Sequence, residues 1–179
     1  VFPVLTPIRV NPDEPMPYFG NLRLHGAFLL SPSDDTGAEN PIDLGPVGES
    51  GRHLAIVQVP TSLDRMVLLP SKPDRVEFTF LEQFISHFAY QLFPGYHVEE
   101  KCLFRVTRDA DFGVDEARDE DFVEAMEEVL EGRDRSESVR LSINTASEQL
   151  KQYLTKLLGL PESAVYQTPD PLELRSLMD

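Results

Sequence analysis

Residues 97–107 read HVEEKCLFRVT and run directly into RDAD at 108–111. Polar and apolar side chains alternate through the stretch, which is the period of a strand with unlike faces. Strict alternation places Val98, Cys102, Phe104 and Val106 on one face and Lys101, Leu103, Arg105 and Thr107 on the other. The first face reads as core. The second is mixed and is expected to meet solvent or a partner.

Outward from that strand, residues 138–143, SVRLSI, alternate in the same way. Residues 53–60, HLAIVQVP, form a nearly continuous apolar run that is too short for a helix and rich in β-branched side chains. That composition predicts a buried strand. Residues 21–30, NLRLHGAFLL, predict another, with Leu22, Leu24, Phe28 and Leu30 on one face and a bulge at Gly26. Shorter strands are expected at 65–69, 75–78 and 164–168. Residues 1–10 contain Pro3 and Pro7, which remove ladder donors and suit an extended edge segment. Residues 31–51 hold four of the ten glycines and three of the fifteen prolines, so they read as a long surface loop.

Three helices are expected. Thr79 and Glu82 have the spacing of a capping box, followed by Phe80, Phe84, Phe88 and Leu92 at i, i+4 and ended by Pro94-Gly95. Residues 119–131 carry the stripe Phe122, Met126, Val129 and Leu130, with Gly132 as C-cap and an almost wholly acidic outer face. Thr145 and Glu148 form a second capping box before Leu150, Leu154, Leu157 and Leu158, with Gly159 past the end. Residues 172–178 suggest a last amphipathic turn or two. The elements interleave irregularly, so the fold class is α+β: a mixed or antiparallel sheet with about three main helices packed on it.

The chain has 179 residues and a net charge of −15, from 16 basic and 31 acidic side chains. Residues 109–137 alone carry 13 acidic and 3 basic residues, a local net of −10. Such a chain repels nucleic acid at long range, although positive sites remain available elsewhere. No apolar run approaches the roughly 20 residues of a membrane helix. The single cysteine, Cys102, fits a reduced, cytoplasmic setting and reads as a small buried residue. The sequence opens at Val1, and it is read as an interior piece of a longer protein.

No nucleophile and base stand together in any recognisable spacing, and no catalytic residue is assigned. There is no GK[ST] phosphate loop and no dinucleotide fingerprint. His25, His53, His87 and His97 are scattered singly, without zinc spacing, and His87 reads as a partly buried structural histidine. Asp109, Asp111, Asp115 and Glu120 approach a calcium-loop spacing, but Val114 stands where the sharp turn needs glycine. No metal site is assigned. The polar set best suited to an anion is Arg105, Arg108 and Arg140, because guanidinium forks match phosphate geometry. Pairing with nearby carboxylates is their ordinary alternative.

FRVTRDAD at 104–111, preceded by LFPGYHVEEKCL at 92–103, resembles the middle or head domain of bacterial polyphosphate kinase of the first type. Other blocks agree in order: VFPVLTPIRV, NLRLHGAFLL, AIVQVPTSLDRMVLLP at 55–70, the acidic segment before VRLSI, and LLGLPESAVYQTPDPLELRSLMD at the end. The resemblance spans essentially the whole chain. The 31–51 loop departs from it, being longer and more irregular than the family suggests.

The resemblance implies an α+β middle domain, covering residues 1–179, of an enzyme that reversibly transfers the terminal phosphate of ATP to polyphosphate. It implies magnesium and ATP for the full enzyme, none of them held by this segment. A phosphohistidine forms in later phospholipase-D-like domains, so none of the four histidines here inherits that role. The implied partners are the other domains of the chain, a second copy in a homo-oligomer, and polyphosphate, with no nucleic acid. The implied roles are dimerisation and shaping the polyphosphate tunnel. The implied location is cytoplasmic, with membrane association of the full enzyme as a further expectation. The alternative is a stand-alone interaction module whose acidic helix is the partner surface.

Overall fold

The computed structural model describes residues 2–10, 17–33, 51–109, 137–145 and 147–174. Among these, eight strands form: β1 (Pro7–Val10), β2 (Leu24–Pro32), β3 (His53–Gln58), β4 (Met66–Leu69), β5 (Glu77–Phe80), β6 (Tyr96–Arg108), β7 (Ser138–Ile143) and β8 (Val165–Gln167). Two α-helices accompany them, α1 (Leu81–His87) and α2 (Glu148–Leu157). The expected acidic helix at 119–131 and most of the 31–51 loop lie outside the described residues.

Six strands make one sheet in the order β1-β3-β2-β6-β7-β8, and β4 pairs with β5 as a separate two-stranded sheet. All pairs are antiparallel except β7 with β8, which is parallel and joined through α2. A parallel pair needs such a crossover, whereas the antiparallel pairs need only loops. The α+β class and the mixed sheet are as the sequence predicts.

The large sheet is buried on both faces. On one side Leu24, Phe28, Leu30, Val57 and Leu103 pack with Leu81 and Ile85 of α1. On the other, Ala27, Leu29, Ile56, Phe104 and Val106 pack with Leu150 and Leu154 of α2. β2 lies in the middle, and its residues from Leu24 to Leu30 are all buried. Leu24, Phe28 and Leu30 share one face as expected, while Ala27 and Leu29 fill the other, and Leu22 lies before the strand and is exposed.

The pairing of β6 is irregular at two places: against β7, where Val139 is skipped between the partners of Thr107 and Arg108, and against β2. Leu29 faces Glu100, but Leu30 faces Val98, so Glu99 is skipped in the pairing. The shift carries Val98 to the side of Leu103, away from Cys102 and Phe104. The irregularity therefore lies between Leu29 and Leu30 and not at Gly26. Gly26 has a different use. A Cβ there would stand 2.9 Å from the Phe28 ring, so the aromatic fills the space that a side chain would take. The mixed face of β6 is also divided: Leu103 is buried, while Arg105 and Thr107 remain half-exposed.

The helix starts differ from the capping boxes. Thr79 is still in β5, and α1 begins at Leu81 after Phe80, which makes no side-chain cap. Glu82 is drawn instead into a buried ion pair with Arg65 at 2.5 Å. The side of α1 that meets the core is Leu81 and Ile85, while Phe84 and Phe88 are half-buried and pack on each other at 4.7 Å. His87 is exposed, against Phe88. For α2 the cap is Ser147, whose Oγ accepts from the Leu150 N–H at 3.1 Å. Thr145 Oγ1 accepts from the Ser147 N–H at 2.9 Å, one step earlier. Gly159 follows α2 at φ 64°, the left-handed conformation that ends helices.

Candidate anion-binding face

The register sorts the three arginines. Arg105 pairs across from Ser142, and Thr107 from Arg140, so Arg105 and Arg140 share one sheet face as diagonal neighbours. Ser142 in turn stands beside Tyr166 of β8. The Arg140 guanidinium lies 4.0 Å from the centre of the Tyr166 ring, stacked as a cation on an aromatic face. Arg105 is half-buried, and its Nε is enclosed with no hydrogen-bond acceptor.

Arg108 points the other way. It lies three positions beyond Arg105, and that odd step places it on the face of Phe104 and Val106. Its Nε–H donates to the Phe19 carbonyl at 2.8 Å, and its guanidinium covers Tyr18 at 4.8 Å. The structure therefore brings together Arg105 and Arg140 but not Arg108. Sequence reasoning did not find Tyr166, because its position depends on the parallel β7–β8 pairing, which no local pattern announces.

The remaining reactive groups are placed for structure. Burial pushes the Cys102 thiol up to about 12, so it is not a thiolate nucleophile at neutral pH. His25 stacks on Phe104 at 5.2 Å and donates from Nδ1 to the Arg23 carbonyl at 2.9 Å. Burial lowers its pKa to about 4, so it is a neutral ring in the core. Burial also lowers the pKa of His53, with a smaller push from Arg9. Among the described residues no group of three or more His, Cys, Asp or Glu side chains gathers to hold a metal ion. Of the calcium-like acidic set, only Asp109 lies within the described residues. A cleft of about 490 Å³ lies beyond the β7–β8 end, bordered by Asn144, Thr168 and Asp170. The Asp170 carboxylate there accepts from Asn144 Nδ2, which makes the cleft unsuited to an anion.

Among the described residues no helix is long and apolar enough to cross a membrane. The family model of the polyphosphate kinase middle domain matches residues 1–179. The chain belongs to that family. It is 36% identical over 181 residues to the polyphosphate kinase of Mycolicibacterium gilvum, covering 99% of this chain and 23% of that protein. It is 34% identical over 179 residues to the enzyme of Bacillus cereus, covering 99% of this chain and 24% of that one. The chain thus spans about a quarter of the length of these curated relatives. A crystal structure of polyphosphate kinase from Porphyromonas gingivalis superposes with a TM-score of 0.68 at 20% identity, over 98% of this chain and 22% of that one. That likeness concerns the fold, and it places the six-stranded sheet of this middle domain within a known architecture.

Proposed function

We propose that this chain is the non-catalytic middle domain of an enzyme that reversibly transfers the terminal phosphate of ATP to polyphosphate. The family match over residues 1–179 carries the reading. The described residues support a non-catalytic role, since their buried thiol and neutral His25 suit packing more than group transfer. The full enzyme uses magnesium and ATP. In this proposal both bind elsewhere in the full protein, which works in the cytoplasm.

The domain's roles are dimerisation and shaping of the polyphosphate tunnel. For dimerisation the supporting feature is the β4–β5 hairpin. Met66 faces Phe80 and Leu68 faces Phe78, so its outer face is an apolar ladder. Leu68 is 68% exposed and Phe78 48%. An isolated two-stranded hairpin is marginal in water, and such a face calls for a cover. Residues 61–80 carry three acidic and three basic side chains. A second copy therefore meets no net repulsion here, although the whole chain stands at −15.

The test is to assay the isolated segment with ATP and magnesium beside the full-length enzyme. Synthesis by the full enzyme and none by the segment is expected. Sustained polyphosphate synthesis by the segment alone would overturn the non-catalytic reading.

A further inference from the structure

In a chain of net charge −15, a guanidinium without a carboxylate calls for a reason. Arg65 pairs with Glu82 and Glu173, Arg75 with Glu77, and Lys151 with Glu148. Among the described residues, Arg105 and Arg140 have no ion-pair partner and no side-chain hydrogen bond. They are also the two that share a sheet face. The register positions beside them are Leu24, Thr107, Ser142 and Tyr166, none of them acidic, while Asp109 and Glu137 follow beyond the register shift at the strand ends.

We infer that this face, built by Arg105, Thr107, Arg140 and Tyr166, binds a condensed phosphate chain. The identity of the anion rests on the function proposed above, whereas the site itself rests on geometry. Stacking on Tyr166 fixes the plane of the Arg140 guanidinium and leaves its N–H edges free to donate. Arg105 rises from a half-buried position, with an enclosed Nε donor that lacks an acceptor. The enclosed Nε is out of an arriving anion's reach, so a phosphate oxygen would be met by the terminal N–H groups of the same guanidinium, where the low local dielectric strengthens a charge-assisted bond. Thr107 sits between the two arginines and presents a hydroxyl to the same face.

Spacing favours a chain over a single ion. Diagonal neighbours across an antiparallel pair stand about 7 Å apart at Cβ. Two forks at that separation engage successive groups of one chain more readily than a lone orthophosphate. Arg108 has no part in the site, since its guanidinium is held by Phe19 and Tyr18 on the opposite face.

The experiment measures equilibrium binding to the full-length enzyme of long-chain polyphosphate, tripolyphosphate, orthophosphate and ATP, at low and at higher salt. The variants are Arg105→Gln, Arg140→Gln, the double variant, the double Arg→Lys variant, Tyr166→Leu and Arg108→Gln. Each single Gln change at the site is expected to weaken polyphosphate binding about tenfold, the loss expected for one charge-assisted contact. It should raise KM for the chain, leave kcat unchanged, and matter less as salt screens the contact. The Lys pair should restore part of the affinity, and Tyr166→Leu should lose several-fold by freeing Arg140. Arg108→Gln should leave binding as it was.

Unchanged polyphosphate affinity at low salt in the double Gln variant would overturn the inference, while the domain's assignment would stand as long as the wild type still makes polyphosphate. A loss confined to ATP would also overturn it, giving the face to the nucleotide. If the full-length wild type neither bound nor extended polyphosphate, the proposed function itself would fall.

Discussion

The two sheets of this domain solve the burial problem differently. The six-stranded sheet is closed in by α1 on one face and α2 on the other, and its central strand exposes almost nothing. The β4–β5 hairpin turns Val67 toward the core but leaves Met66, Leu68 and Phe78 outward and largely bare. It is fastened to the body by Arg65, which bonds to Glu82 of α1 and to both the carboxylate and the backbone carbonyl of Glu173. Breaking so buried a pair typically costs about 3–5 kcal/mol, mostly from the partner left uncompensated. The large sheet is self-sufficient. The hairpin is anchored by an ion pair but finished by something else.

The strongest way to break the contrast is inside the large sheet. Phe104→Ala removes a fully buried ring that packs on Phe19 and His25. A loss of about 3–5 kcal/mol is expected, read from the denaturant midpoint. A much smaller loss would mean that the α2 side of the sheet is loosely packed.

The next effect depends on pH. His25 is held neutral in the fold, with its pKa lowered to about 4, whereas an unfolded histidine keeps its ordinary value. The unfolded chain therefore binds the extra proton first as pH falls. Stability from this residue is complete above about pH 6.5 and declines toward pH 4, by up to about 3 kcal/mol. Unfolding curves across that range should fall more steeply for the wild type than for His25→Gln. Parallel curves would remove His25 as the cause.

The smallest effect on stability belongs to the hairpin. Leu68→Ser or Phe78→Ser should shift folding stability by less than about 0.5 kcal/mol, because these side chains are already exposed. Sedimentation of the full-length protein should nevertheless show weaker self-association. If the mass stays that of a dimer in the double variant, a different surface holds the copies together.

Much of this was legible in the sequence, and the failures share a cause. The long strands announced themselves through alternation or through short β-branched runs, because burial on one or two faces is a local pattern. What went unread depended on distant residues. The Thr79–Glu82 box had a plausible capping spacing, but Arg65 claimed the glutamate across the fold. The bulge was set by how β6 meets β2, so Gly26 was a false cue. At the candidate site, the odd step from Arg105 to Arg108 already implied opposite faces. The pairing of Arg140 with Tyr166 required the β8 register, which no local periodicity contains.

The skipped Glu99 gives β6 a property that its even alternation would deny it. A single strand changes allegiance partway along, so that Val98 serves the α1 layer while Phe104 serves the α2 layer. The strand is in effect spliced at that point. Removing Glu99 would leave Val98 opposite Leu30 in unbroken alternation, whereas inserting a residue there would turn the first half over, sending Tyr96 and Val98 toward the wrong helix. This strand should therefore tolerate the loss of Glu99 better than the gain of a residue beside it.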